Sequence, residues 1–228
     1  MEFCGLQKLT LLDYPGRMAC TLFTGGCNFR CPFCHNGGLV TAPEALWTEE
    51  QIFEYLASRK GLLDGVCVTG GEPLLHKELG PFLARVKEMG FSVKLDTNGS
   101  FPQGLKELVS AGLVDYVAMD VKNSPEKYGM TVGVENFDLA PVLESISFLL
   151  ENRVPYEFRT TLVRELHTEE DVEAIARRIA GAEKYALQSF VDSGAVLTPG
   201  LSAWDKATVL RMAETARRYV PNTDVRGI

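Results

Sequence analysis

Short apolar, β-branched runs bounded by turn residues recur at Met18–Thr24, Val66–Thr69, Ser92–Leu95, Tyr116–Val121, Tyr156–Val163 and Tyr185–Phe190. Each is too short for an ordinary helix and suits a pleated surface, so the pattern predicts strands at these six places. Between them the period lengthens. Leu79, Phe82, Leu83, Val86 and Met89 draw one apolar stripe along a helix. Thr48 with Gln51, Thr168 with Asp171 and Ser202 with Asp205 each set a hydroxyl three residues before a side chain able to reach back. These capping patterns predict helices starting near 49, 169 and 203 and running to about 60, 180 and 219. Further helices are expected over about 102–111 and 137–152.

Strand and helix alternate throughout, which predicts parallel strands covered by helices, the α/β class. Six units fall short of eight, so the expected fold is an incomplete, open (β/α)6 barrel with its chemistry at the C-terminal ends of the strands. A flat doubly wound sheet is the rival architecture. Without an internal repeat or Gly/Ser linker, residues 1–228 are expected to form one domain. The 46% of apolar residues can fill a sizeable core. A formal charge of −7 repels phosphate backbones and argues against a nucleic-acid partner. Neither an export signal nor an apolar stretch of membrane-spanning length is evident, so a cytoplasmic protein with no membrane partner is expected.

Six cysteines in a reducing cytosol are expected to stay free of disulfides. Cys4, Cys20 and Cys67 stand in apolar surroundings and read as small buried hydrophobes. Cys27, Cys31 and Cys34 form a C-x3-C-x2-C cluster in the Gly-rich loop GGCNFRCPFCHN and read as ligands. Other chemistry-bearing residues also follow strands: Gly70-Gly71-Glu72-Pro73 the second, Asp96-Thr97-Asn98-Gly99 the third, and Asp120 with Lys122 the fourth. Arg159 lies in the fifth strand and Gln188 in the sixth. Structural zinc wants four ligands, with His35 or His76 available to complete a set. An iron–sulfur cubane held by three cysteines instead leaves one iron open.

The cysteine spacing, with the aromatic Phe33 just before the last cysteine, resembles the signature of the radical S-adenosylmethionine enzymes. Gly70-Gly71-Glu72-Pro73 resembles their second motif. Asp13-Tyr14-Pro15-Gly16-Arg17, Cys34-His35-Asn36, Asp96-Thr97-Asn98-Gly99 and Asp120-Val121-Lys122 are similar to glycyl-radical-enzyme activating enzymes. The opening GLQKLTLLDYPGR is most similar to the anaerobic ribonucleoside-triphosphate reductase activating proteins. The likeness spans essentially the whole chain and is carried mainly by residues up to Lys122.

The resemblance implies a 4Fe–4S cluster on Cys27, Cys31 and Cys34, whose open iron binds S-adenosylmethionine. Reductive cleavage gives a 5′-deoxyadenosyl radical that takes a hydrogen atom from a glycine of a partner enzyme, here anaerobic ribonucleotide reductase. A flavodoxin-like or ferredoxin-like protein is the implied electron donor. Phe33, Cys34 and His35 would lie against the adenine, while the backbone at Gly70 and Gly71, with Glu72 nearby, would meet the methionine amino group. Lys122 would pair with the cofactor carboxylate and Arg159 would reach the carboxylate or ribose hydroxyls, with Asn98 also in the cofactor site. Gln188 stands about where pyruvate formate-lyase activating enzyme has a cofactor-contacting histidine. Asp96, Thr97, Asp120 and the Ala118 carbonyl would form a cation site; alternatively the two carboxylates bond Lys122 and loop amides. A radical enzyme acting on a small molecule or peptide, and a non-catalytic zinc or iron–sulfur module, are the competing functions. His167 is expected in solvent beside the Thr168 cap, His76 at a helix start, Trp47 and Trp204 in packing, and Val225–Ile228 as a plain terminus.

Overall fold

The computed structural model describes residues 1–228 except 42, 193 and 195. Its main sheet has eight strands: β1 (Gly5–Thr10), β2 (Ala19–Thr24), β3 (Gly65–Gly70), β4 (Ser92–Thr97), β5 (Tyr116–Asp120), β6 (Tyr156–Leu162), β7 (Tyr185–Ser189) and β8 (Thr223–Arg226). They lie in the order β8-β7-β6-β5-β4-β3-β2-β1, parallel throughout except for the antiparallel edge strand β1. Six helices make the successive crossovers from β2 to β8: α1 (Glu49–Ala57), α2 (Leu79–Glu88), α3 (Pro102–Ser110), α4 (Ala140–Leu149), α5 (Glu169–Arg178) and α6 (Lys206–Arg217). The edges β1 and β8 do not pair, so the expected α/β fold is present as an open partial barrel. No helix among the described residues is long and apolar enough to cross a membrane.

The strands have two unlike faces because side chains alternate along them. Val93, Leu95, Val117, Met119, Phe158 and Leu162 are fully buried on one face, in the same apolar core as Leu83, Leu105, Ile146 and Ile175 of the helices. The alternate positions Lys94, Asp96, Tyr116, Asp120, Glu157 and Arg159 share the inner face. A closed eight-stranded barrel fills its interior with branched apolar side chains; here the interior is charged, which leaves room for a polar site.

Two strands of the sheet fall outside the six expected runs. β1 is an edge strand whose Lys8 and Leu9 are exposed, so it lacks the apolar run that marks a covered strand. β8 includes Val225 and Arg226, so this end of the chain is a strand and not a plain terminus. Its order has a physical cause. Arg226 reaches from β8 to Glu157 on β6, donating to both carboxylate oxygens at 3.2 and 2.7 Å, and Glu157 is almost wholly buried. Removing the cation strands a buried carboxylate. Because Arg226 is partly exposed and Lys184 lies 3.8 Å from Glu157, Arg226→Ala should cost about 2–3 kcal/mol, less than a fully buried pair. Urea unfolding should show this as a lower midpoint at unchanged slope; an unchanged midpoint would exclude a structural role for the pair.

The capping boxes at Thr48–Gln51 and Thr168–Asp171 form as expected. The third does not. Ser202 gives its N–H and hydroxyl to Glu165, and Asp205 is itself the cap of α6, accepting from Thr208 N at 3.0 Å. His167 is also corrected, from solvated to fully buried. Its Nδ1 accepts from Val163 N–H (3.1 Å) and its Nε2–H donates to the Lys122 carbonyl (2.7 Å). Burial lowers its pKa and favours the neutral ring these bonds require. His76 precedes α2 by three residues and is bonded through Nε2 to Gly25 O at 2.9 Å, not placed at a helix start.

Candidate active site

The cysteine loop leaves β2 at the mouth of the barrel and is held from several sides. Gly26 N–H bonds Leu39 O (2.8 Å), Arg30 N–H bonds Val132 O (2.8 Å), and Thr198 N–H bonds Pro32 O (2.9 Å). The Arg30 guanidinium donates to the carbonyls of Cys27 (2.5 Å) and Phe29 (2.8 Å), while Phe29 packs edge-on against Phe137. So fixed, Cys27, Cys31 and Cys34 all line one cavity of about 310 Å³ with free thiols. Burial pushes Cys31 up to about 12 and raises Cys27 as well, so thiolates at these two positions need a strongly cationic partner. His35, stacked on Phe190, shares the cavity, whereas His76 is absent from its lining. Among the described residues no three His, Cys, Asp or Glu side chains converge on a single ion. Three thiols around a shared space fit a polynuclear iron–sulfur cluster better than one zinc.

Gly70 and Gly71 border the cavity, and the structure also gives a packing reason for them. Gly70 sits at φ +121°, and a Cβ there would lie 2.4 Å from the backbone of Thr24. At Gly71 it would lie 1.7 Å from Gly26 O. The pair lets the β3 loop press against the cysteine loop, where Gly71 N–H bonds Thr24 O and Glu72 N–H bonds Gly26 O, both at 2.9 Å. Glu72, unlike the two glycines, is not in the cavity lining. Fully buried, it accepts from Leu74 N (3.1 Å), Thr97 Oγ1 (2.9 Å) and Asn98 N (2.7 Å), tying the β3 and β4 loops together. Burial raises its pKa to about 7, although these donors favour the charged form.

A line of charge crosses the inner face. Lys94, almost fully buried on β4, bonds Asp96. Arg159 on β6 donates from Nη1 to Asp96 Oδ2 (3.0 Å) and from Nε to Asp120 Oδ1 (2.9 Å). Lys122 closes the line on Asp120 at 2.7 Å. Arg159 is the register partner of Asp120 and reaches Asp96 across β5, where the inner-face residue between them is the small Ala118. Burial alone would raise both carboxyls, but Arg159 together with Lys94 at Asp96, and with Lys122 at Asp120, holds them below the usual carboxylate range. Burial would likewise lower Lys122, yet the Asp120 carboxylate outweighs this and holds it above the usual lysine range.

The two carboxylates of the expected cation site pair here with the protein's own cations. Asp96 bonds Lys94 and Arg159, Asp120 bonds Arg159 and Lys122, and the Thr97 hydroxyl donates to Glu72, while all three residues border the cavity. Arg159 Nη2 and two Lys122 hydrogens have no protein partner among the described residues. Phe33, Asn98 and Gln188 also border the cavity, with Lys122 Nζ 6.0 Å over the Phe33 ring.

The sequence reading gave no role to Asp13, which also lines the cavity and accepts from Thr21 Oγ1 at 2.6 Å. Its loop precedes β2 and tucks the buried Tyr14 under the barrel. Lys94, Glu157 and Arg226 were missed as well. The signal available was the period of two in VKLD, YEFR and DVR, which places charge on one face of each strand.

The model of the Radical SAM superfamily matches residues 21–179. A protein of Methanocaldococcus jannaschii, provisionally named a glycyl-radical enzyme activating enzyme, is 35% identical over 98% of this chain and 95% of its own length. One from Thermococcus kodakarensis, named a probable GTP 3′,8-cyclase, is 33% identical over 69% of this chain and 52% of its length. In structure, a domain of pyruvate-formate lyase-activating enzyme from Bacteroides vulgatus matches with a TM-score of 0.59 at 20% identity, covering 72% of this chain and 99% of that one.

Proposed function

This chain belongs to the Radical SAM superfamily, and from that premise we propose that it activates a glycyl radical enzyme, anaerobic ribonucleotide reductase, by taking a hydrogen atom from one glycine of that partner. The superfamily uses a 4Fe–4S cluster and S-adenosylmethionine, which together supply a one-electron route to a hydrogen-abstracting radical. In this reading Cys27, Cys31 and Cys34 hold the cluster and leave one iron for the cofactor. The free donors of Lys122 and Arg159 bind and orient its carboxylate, while Phe33 and His35, the latter backed by Phe190, offer flat surfaces for its adenine. Gln188 contributes a polar group from the C-terminal end of β7. A flavodoxin-like or ferredoxin-like protein supplies the electron.

The observation that carries the reading is one cavity that joins three free thiols to a mixed lining of carboxylates and cations with unspent N–H donors. Such a lining suits a zwitterionic ligand with both carboxylate and cationic groups. The activase assignment is supported by the near full-length relative, and the choice of ribonucleotide reductase by the opening GLQKLTLLDYPGR. The second reading, a small-molecule radical enzyme, is favoured by the cyclase relative, of which this chain spans about half.

One experiment separates them. The reconstituted, reduced protein is mixed anaerobically with S-adenosylmethionine and an anaerobic ribonucleotide reductase, and electron paramagnetic resonance is recorded. A glycyl doublet that requires both proteins is expected. Efficient 5′-deoxyadenosine formation with a small-molecule product and no partner would overturn the activase reading.

A further inference from the structure

Asn98 borders the cavity from the loop after β4, and its side-chain amide is held in a closed polar ring. Its Oδ1 accepts from Ser100 N (2.9 Å) and Ser100 Oγ (2.5 Å), which fixes the flip of the amide and leaves Nδ2 as the donor. Nδ2 donates to Asn28 Oδ1 at 2.9 Å, and Asn28 Nδ2 returns to Ser100 Oγ at 2.9 Å. From the other side, buried Glu72 bonds the Asn98 backbone N–H at 2.7 Å. The consequence is an amide with one further hydrogen, aimed at the Cys27 sulfur at 3.9 Å. Phe29 N–H approaches the same sulfur at 3.4 Å, whereas no such donor reaches Cys31 or Cys34 among the described residues.

We infer that Asn98 sets the reduction potential of the cluster by donating a hydrogen bond to the Cys27 sulfur, and so acts as a positioning residue rather than a contact of S-adenosylmethionine. The inference rests on the cluster reading of Cys27. Reduction adds one electron from an external donor to the cluster and makes its sulfurs more basic. A fixed N–H donor stabilises that state more than the oxidised one and raises the potential. The polar ring keeps the donor in place, so little reorganisation accompanies electron transfer.

The test is a dithionite titration of reconstituted full-length protein, followed by electron paramagnetic resonance, with iron counted in every sample. Asn98→Leu keeps the approximate volume and removes the donor. Its reduction equilibrium is expected to fall about tenfold, ~59 mV for a one-electron couple. Ser100→Ala frees the amide and should shift the potential in the same direction by less. Ser145→Ala is the control: its hydroxyl steadies the same loop through Gly99 O at 2.7 Å without approaching a sulfur, so the potential should stay. An exchangeable deuteron coupling to the reduced cluster, present in the unaltered protein and lost in Asn98→Leu, would support the assignment independently.

An unchanged potential in iron-replete Asn98→Leu overturns the inference, as does an equal shift in Ser145→Ala. Should Asn98→Leu fail to load iron, Ser100→Ala decides by the same criterion. Failure of the unaltered protein to form a cluster at all would instead overturn the cluster reading, a distinguishable result.

Discussion

Cys31→Ala is expected to abolish reductive cleavage of S-adenosylmethionine, with no 5′-deoxyadenosine above background, while the protein stays folded. Cys31 is the most buried of the three thiols and borders both the cavity and the apolar core, so no solvent molecule easily replaces its sulfur. Two thiols cannot hold three irons. Losing one buried group of about methylene size costs only about 1 kcal/mol, well within the stability of an ordinary domain. Iron and sulfide analysis should therefore show loss of the full cluster, with an unchanged far-ultraviolet circular dichroism spectrum. Wild-type turnover in this variant would sink the ligand assignment of Cys31.

Gly71→Ala should be nearly as damaging through the backbone. Its Cβ would lie 1.7 Å from Gly26 O, an atom already accepting from Glu72 N–H, and 3.3 Å from Cys27 N. Backbone cannot rotate out of the way as a flexible side chain can. The cysteine loop must move bodily, breaking the clamp between the β2 and β3 loops, and the overpacking should cost about 3 kcal/mol. Cluster loading should fall at least about tenfold, since 1.4 kcal/mol of misplacement suffices for that factor. Gly80→Ala is the contrast: on α2, with its new Cβ at ordinary contact with Leu108, it should be neutral or stabilising by up to about 1 kcal/mol. Thermal melts and iron counts on both variants check this. Normal cluster content in Gly71→Ala would mean that the close approach is not required.

Much of the fold was legible because period and punctuation are local. The six apolar runs became six of the parallel strands, and two capping boxes opened helices where a hydroxyl and its partner stood three residues apart. The Ser202 box misled because Glu165, distant in sequence, competes for the serine. Edge strand β1 was invisible because apolar runs mark strands covered on both sides. β8 is held by the Arg226–Glu157 pair, whose partners lie 69 residues apart.

The candidate site divides in the same way. By itself the sequence determined the α/β class, the three-cysteine loop and the placement of reactive residues after strands, since spacing and strand position are properties of the chain alone. Only the tertiary structure decided what those residues do to one another. It showed that Glu72 braces two loops, that Gly70 and Gly71 are demanded by a neighbouring backbone, and that His167 is buried against Lys122. It also showed that Arg159 joins Asp96 and Asp120 across the inner face. The physical reason is common to all four. Each depends on which groups meet across strands and loops distant in sequence, and there burial makes electrostatics and hydrogen bonding strong enough to override what a residue type suggests in isolation.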